Sequence, residues 1–60
     1  MKKEFKVISE LIDKNSKVLD VGCGDGALMK YLSENKTSNI RGLEISKEGV
    51  QNCISKGLTV

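Results

Sequence analysis

The 60-residue chain has no histidine, tryptophan or proline, and it contains only one phenylalanine, one tyrosine and two cysteines. So few large side chains leave too little apolar volume for a self-sufficient core, and two cysteines cannot form a disulfide framework. A chain of this length buries only about 60% of the surface that it exposes when unfolded. We therefore expect residues 1–60 to be the N-terminal, incomplete portion of a single domain, which typically needs about 100 residues or more.

Signals for metal binding and for membranes are also weak. Cys23 and Cys53 are far apart and outside any C-x-x-C pair, so they are expected to be small buried thiols in a reducing compartment, not zinc ligands. No stretch reaches the ~18 apolar residues of a membrane span, and no apolar segment follows the N-terminal lysines. The ten basic and eight acidic residues are interspersed, which favours a solvated surface over a nucleic-acid patch. We expect a soluble, cytoplasmic protein.

The hydrophobic spacing that is present predicts alternating helices and strands. The predicted elements are a helix over 3–14, a strand over 17–21, a turn over 22–25, a helix over 26–34, a strand over 40–45, a helix over 47–56 and the start of a strand at 57–60. Ser46 is suited to cap the third helix, and Gly57 is placed to end it. This order implies an α/β fold in which parallel strands are joined by right-handed crossovers, as in the N-terminal part of a doubly wound, Rossmann-like sheet.

Each predicted helix has a set of apolar side chains at helical spacing that should face the core. These sets are Phe5, Ile8, Leu11 and Ile12; then Ala27, Leu28, Tyr31 and Leu32; then Val50, Cys53 and Ile54. Met29 is also expected to be a packing residue.

The segment from Val18 to Gly26 is typical of a buried strand that runs into a ligand-binding glycine turn. Gly22, Gly24 and Gly26 let the backbone adopt positive φ and approach a ligand, and the following helix directs free N–H groups to the same place. Asp20, the turn and Glu44 all fall at the carboxyl ends of predicted parallel strands, where doubly wound folds bind ligands. This convergence predicts one nucleoside-cofactor site. The alternatives are a purely structural turn, an Asp20 that bonds loop N–H groups, and a solvated Glu44.

The cofactor class is argued from charge. The spacing of Gly22, Gly24 and Ala27, with Glu44 about 20 residues beyond, formally fits the dinucleotide fingerprint. However, Asp20 and Asp25 would face the pyrophosphate of NAD, and such like-charge contacts cost on the order of a few kcal/mol at an effective dielectric constant of about 20. S-adenosylmethionine has a ribose but no phosphate, and it carries an ammonium and a sulfonium that acids attract. The charges therefore favour S-adenosylmethionine.

Two segments resemble the first and second motifs of class I S-adenosylmethionine-dependent methyltransferases: residues 18–26 (VLDVGCGDG) and residues 42–45 (GLEI). The closer resemblance is to the MetW family of methionine biosynthesis. It rests on residues 19–28, 41–45 and 49–58, and the last block, with its Gly-Val pair, its Cys and its closing Lys-Gly, is more specific than the glycine motif.

The resemblance implies roles for individual residues. Gly22, Gly24 and Gly26 would form the turn under the methionine half of the cofactor, Asp20 would hold its amino end, and Glu44 would accept hydrogen bonds from the ribose hydroxyls. Cys23 and Asp25 would line the turn, with helix capping as the alternative role of Asp25. The full implied cofactor-binding set is Asp20, Gly22, Cys23, Gly24, Asp25, Gly26, Glu44 and Ile45.

Three functions remain open from the sequence. The first is a methyltransferase that acts on a small-molecule methyl acceptor. The second, implied by the resemblance to MetW, is a non-catalytic partner or regulator of homoserine O-acyltransferase. The third is an NAD-dependent oxidoreductase. No nucleophile–base pair is recognisable, so no catalytic residue is assigned, and no metal ligand is assigned either.

Overall fold

The computed structural model describes residues 3–60, and in this part of the chain three helices alternate with two strands. The elements are α1 (Lys3–Glu10), β1 (Val18–Val21), α2 (Ala27–Asn35), β2 (Ile40–Leu43) and α3 (Lys47–Ser55). The two strands are parallel, with Val18 opposite Ile40 and Val21 opposite Leu43. The predicted α/β class and element order are confirmed as far as α3. Over residues 3–60, no helix is both long enough and apolar enough to cross a membrane.

The predicted strand at residues 57–60 is not formed as a regular strand. One backbone hydrogen bond nevertheless joins this segment to the sheet, because the Gly42 N–H donates to the Thr59 carbonyl oxygen across 2.9 Å. The carbonyl of Leu43 faces β1, since it accepts hydrogen bonds from the turn that follows β1. Successive residues of a strand direct their backbone groups to opposite edges, so Thr59 lies on the edge of β2 away from β1.

The first helix is shorter than predicted. It ends at Glu10 instead of residue 14, and single turn-type bonds from the Leu11 and Ile12 N–H groups follow it. Its predicted apolar face is partly wrong, because Leu11 is 82% exposed while Ser9 is buried. On the helix, Phe5 and Ser9 lie four residues apart on one face and are less exposed than their neighbours, and Ile12, in the turn after the helix, packs against the core. This face is set by the packing of the Phe5 ring against that of Tyr31, with centroids 5.9 Å apart.

The core lies between one face of the sheet and helices α2 and α3. Its buried members are Met29, Leu32, Ile40 and Cys53. The predictions that Leu32, Met29 and Cys53 pack inside are confirmed, and Leu28, Tyr31 and Val50 are partly buried. Besides Leu11, three predicted core residues are exposed, and one of them is Ile8, which is 36% exposed on α1. Ala27 stands at the first position of α2, and Ile54 is 62% exposed because α3 turns Gly49 and Cys53 inward instead.

Both predicted signals at the ends of α3 are confirmed. The Ser46 hydroxyl oxygen accepts a hydrogen bond from the Gly49 N–H across 3.2 Å, as an N-cap does. At the other end Gly57 has φ +76°, its N–H donates to the Ile54 carbonyl, and the Leu58 N–H donates to the Cys53 carbonyl. This pair of bonds is the Schellman motif, in which a left-handed glycine closes the helix.

The second face of the sheet carries apolar side chains that the described helices do not cover. Its members are Leu19, Val21, Leu43 and, just beyond β2, Ile45, with exposures of 58%, 73%, 56% and 102%. The sequence predicts β1 as a strand buried on both faces, and within residues 3–60 it is buried on one. Because α2 and α3 cover the face that bears Ile40 and Gly42, the alternate residues of both strands point the other way.

Candidate functional site

The glycine turn leaves the end of β1 with the backbone that its sequence predicts. Gly22, Gly24 and Gly26 have φ values of +73°, +59° and +85°, which glycine adopts without the steric cost of a Cβ. The Gly22 and Cys23 N–H groups both donate to the Leu43 carbonyl oxygen, across 2.7 and 3.2 Å. These two bonds fasten the turn to the end of β2, so that the carboxyl ends of both strands meet at one edge.

Glu44 follows β2 and joins the turn to helix α3. Its Oε1 accepts a hydrogen bond from the Gly24 N–H across 2.7 Å, and its Oε2 accepts one from the Ser46 N–H across 2.8 Å. The Ser46 and Gly24 N–H groups hold the pKa of this carboxyl below its ordinary range, because they stabilise the charged form. Each oxygen keeps capacity for a further hydrogen bond, so the ionised carboxylate can accept from two adjacent hydroxyls. Glu44 is therefore more than a solvated strand end.

Asp20 contrasts with Glu44. No hydrogen bond from any other residue in the described part of the chain reaches its carboxylate, so the alternative in which it bonds loop N–H groups is not observed. Burial raises its pKa, since a partly desolvated carboxylate is less favourable in the charged form. A half-buried acid without a partner suits a cationic ligand.

Asp20 lines an open cleft of about 630 Å³ at the strand ends. Four predicted site residues border this cleft, namely Asp20, Gly22, Cys23 and Asp25. Phe5, Ala27 and Leu28 complete its wall. None of these three was predicted as a site residue, because helical spacing assigned them to the core. Ala27 and Leu28 directly follow the turn in sequence, which is a local signal for their place in the wall, whereas nothing in the sequence near Phe5 indicates that α1 borders the turn.

A second cleft of about 550 Å³ lies on the other side of Gly22. It is bordered by Gly22, Glu44 and Ile45 together with the apolar side chains of Val21 and Leu43. Because Gly22 borders both clefts, an elongated ligand can cross the turn with one end at Asp20 and the other at Glu44. The volumes are within the range usual for small-molecule sites.

Asp25 and Gly26 form the rear of the turn. Asp25 Oδ1 accepts from the N–H of Ala27, the first residue of α2, across 3.1 Å, and Asp25 Oδ2 lies 3.8 Å from Lys56 Nζ. The N-cap position itself is Gly26, which has no side chain, so Asp25 bonds the start of the helix from one residue before the cap. Gly26 is buried, and a Cβ built on it would lie 2.9 Å from Cys53 Sγ. Gly26 therefore meets α3, whereas Asp25 also reaches the first cleft.

The two cysteines lie side by side beneath the turn, with 3.9 Å between their sulfur atoms. Burial, the hydrogen bond with Cys53 and the nearby carboxylates of Asp20 and Glu44 raise the pKa of the Cys23 thiol to about 11. The thiol is therefore protonated at neutral pH and is a poor nucleophile. Over residues 3–60, three or more potential metal-ligating side chains do not come together.

Comparison with known proteins gives one finding. The family model described as methionine biosynthesis protein MetW matches residues 2–60. This range contains the glycine turn, both carboxylates and the whole of α3. Comparisons with curated proteins and with solved structures found no significant match.

Proposed function

Since this chain belongs to the MetW family of methionine biosynthesis proteins, we propose that it binds S-adenosylmethionine in the two clefts that meet at Gly22. The observation that carries the proposal is the pair of carboxylates on either side of the turn. Asp20 is partly buried with a raised pKa and without a partner in residues 3–60, and Glu44 is held ionised by two backbone N–H groups. The Asp20 carboxylate suits a cation, and the Glu44 carboxylate suits a pair of hydroxyls.

The chemistry of the cofactor matches this arrangement along its length. The Asp20 carboxylate attracts the ammonium of the methionine half, and the sulfonium adds a second positive charge that a site rich in acids favours. The Glu44 oxygens accept hydrogen bonds from the 2′ and 3′ hydroxyls of the ribose. Gly22 lies between them and lets the ligand approach the backbone closely, because it has no side chain.

We further propose that the chain is part of a doubly wound, methyltransferase-like domain. The Gly42–Thr59 hydrogen bond supports this, because it puts the segment after α3 beside β2 on the edge away from β1. A strand there would give the spatial order 3-2-1, which is the first half of a doubly wound sheet. The site then lies at the carboxyl ends of the strands, where such sheets bind ligands.

The residues of this chain bind and orient; none is required as a nucleophile. S-adenosylmethionine, when bound, supplies an electrophilic methyl group on its sulfonium. The Cys23 thiol, with a pKa of about 11, stays protonated beside the turn and takes no proton from an acceptor at neutral pH. A methyl acceptor would be a small molecule positioned by residues outside this site.

A second candidate function is a non-catalytic one, in which the protein binds S-adenosylmethionine as a regulator of homoserine O-acyltransferase. It is supported by the match to the methionine biosynthesis family, and it needs only the binding and orienting residues described above. Co-purification of the full-length protein with that acyltransferase, altered by S-adenosylmethionine, would support regulation. Methyl transfer to a small molecule without any complex at micromolar concentrations would support the enzyme.

NAD is the third candidate, and the charges still disfavour it. Lys56 offsets part of the Asp25 charge, since its ammonium lies 3.8 Å from Asp25 Oδ2. The repulsion of a pyrophosphate therefore rests mainly on Asp20, which has no such cation among the described residues.

Calorimetric titration of the full-length protein with S-adenosylmethionine and with NAD tests the proposal. We expect selective binding of S-adenosylmethionine that Glu44→Ala abolishes or weakens about a hundredfold, because two hydrogen bonds to a charged acceptor are lost. Glu48→Ala is the matched control, since it removes an exposed acid from the first turn of α3. Binding of NAD with equal or higher affinity, or equal effects of the two variants, would contradict the proposal.

A further inference from the structure

One face of α3 lies directly behind the glycine turn. Gly49 and Cys53 lie four residues apart on one side of α3, and Lys56, the C-cap residue of the helix, follows three residues later and reaches the turn from the same side. We refer to these three residues as the α3 contact face. They come from the sequence block that resembles MetW most specifically, and the binding proposal above gives them no role.

Each member of the α3 contact face touches the main chain of the turn. The Cys53 thiol donates to the Gly24 carbonyl oxygen across 3.4 Å, and the Lys56 ammonium donates to the Asp25 carbonyl oxygen across 2.8 Å. At Gly49 the helix backbone itself approaches, because a Cβ built there would lie 2.8 Å from the Gly24 carbonyl oxygen. Two successive carbonyl groups of the turn are thus held against α3.

The same face leaves a path for the Glu44 side chain. A Cβ on Gly49 would lie 2.9 Å from Glu44 Cγ, so the absence of a side chain there lets Glu44 pass between α3 and the turn. Glu44 then reaches the Gly24 N–H from one side while Cys53 holds the Gly24 carbonyl from the other. The peptide groups around Gly24 are fixed at both ends.

We propose that the α3 contact face is a positioning element that pre-organises the glycine turn and the Glu44 carboxylate for the cofactor. A turn with three glycines has many conformations available, and a ligand that must order it loses affinity in proportion to the freedom removed. Contacts that order the turn beforehand remove that loss. The effect on affinity rests on the proposed function, whereas the ordering of the turn can be measured in the ligand-free protein.

Lys56 provides the sharpest variant. Its side chain is partly exposed, so Lys56→Met removes the charge-assisted bond to the Asp25 carbonyl without opening the core. Lys30→Met is the matched control, because Lys30 also carries an exposed ion pair, but with Glu34 within α2. Lys56→Arg keeps a donor of similar reach and should restore the wild-type behaviour.

The experiment measures hydrogen exchange of residues 22–26 in the ligand-free full-length protein and, separately, its affinity for S-adenosylmethionine. For Lys56→Met we expect roughly threefold to tenfold faster exchange in the turn and a roughly similar loss of affinity, with the melting temperature close to that of Lys30→Met. For Gly49→Ala we expect at least about a tenfold loss of affinity, although alanine is the better helix former. Lys56→Arg should match the wild type in both measurements.

The outcomes distinguish the positioning role of the α3 contact face from the proposed binding of S-adenosylmethionine. Exchange and affinity in Lys56→Met and Gly49→Ala that equal those of Lys30→Met would overturn the positioning role. If the wild type binds no S-adenosylmethionine, the proposed function fails, and the exchange of the turn alone decides whether the α3 contact face orders it. Faster exchange in Lys56→Met would then still establish the ordering, and unchanged exchange would refute it.

Discussion

Asp20 and Glu44 occupy opposite electrostatic situations within one site. Burial raises the pKa of Asp20, whereas the backbone N–H groups of Ser46 and Gly24 lower the pKa of Glu44. Environments that push the pKa values of neighbouring groups in opposite directions are common at functional sites. The burial of Asp20 disfavours its charged form, so the ionised carboxylate at this position is consistent with the proposed cationic ligand.

Asp20→Asn is expected to weaken binding and to increase stability at neutral pH. The folded-state pKa of Asp20 is raised above its ordinary value of 3.8, so its contribution to stability is complete below that value and declines as the pH rises through the folded-state pKa. At pH 7 asparagine removes a charge that the fold holds unfavourably. Thermal unfolding at pH 7 and pH 3.5, with calorimetric titration, checks this. A lower melting temperature at pH 7 with unchanged S-adenosylmethionine affinity would show a purely structural role.

Glu44→Gln is expected to have the opposite effect on stability. The folded-state pKa of Glu44 lies below its ordinary value of 4.5, so its contribution is present above that value and is lost as the pH falls through the folded-state pKa. Glutamine also turns one NH₂ group toward the N–H of Gly24 or Ser46, which leaves a donor facing a donor. The melting temperature of Glu44→Gln should therefore be lower than that of Glu48→Gln at pH 7, and the two should converge as the pH falls through the folded-state pKa of Glu44. An identical deficit above and below that pKa would refute the charge-based explanation.

Helices and strands show which predictions depend on local chemistry and which on tertiary packing. The caps of α3 at Ser46 and Gly57 were predictable, because each depends on residues within one turn of the helix end. The exposure of Leu11 and Ile54 was not predictable. Helical spacing shows which apolar residues share a face of the helix, but it does not show the angle at which a neighbouring element packs against that face. The interaction of Lys56 with Asp25 joins distant parts of the chain, and no local pattern indicates it.

The Ser46 cap is expected to contribute measurably to the stability of α3 and, through it, of the turn. Ser46→Ala removes the acceptor of the Gly49 N–H and should lower the free energy of unfolding by about 1 kcal/mol. Ser46→Asp keeps an acceptor and should retain most of that stability. Urea unfolding of the full-length protein measures both variants. Equal loss in the two would mean that the cap bond is not the source of the effect.

At the scale of the whole molecule, the sheet has one covered face and one open face. The parallel strands, and the meeting of the glycine turn and Glu44 at their carboxyl ends, were predictable from the alternation of strand and helix patterns. The uncovered face was not predictable. The sequence of a strand that is buried on both faces is apolar throughout, and it does not indicate which part of the chain supplies the helices that cover each face. In the proposed doubly wound domain, further helices would cover Leu19, Val21, Leu43 and Ile45.

A peptide of residues 1–60 is therefore expected to behave as an incomplete domain. It should bind a hydrophobic dye such as ANS and unfold without a cooperative transition, because four apolar side chains on the open face are more than half exposed. Dye fluorescence and urea unfolding, compared with the full-length protein, check this expectation. A sharp cooperative transition without dye binding would show that these residues form a complete domain.

The most direct test of the account is a crystal structure of the full-length protein with S-adenosylmethionine. We expect the cofactor to cross the turn at Gly22, with its ammonium within about 4 Å of the Asp20 carboxylate and its ribose hydroxyls within about 3.2 Å of the Glu44 oxygens. A cofactor bound elsewhere, or bound here with the ribose at Asp20 and no contact to Glu44, would contradict it.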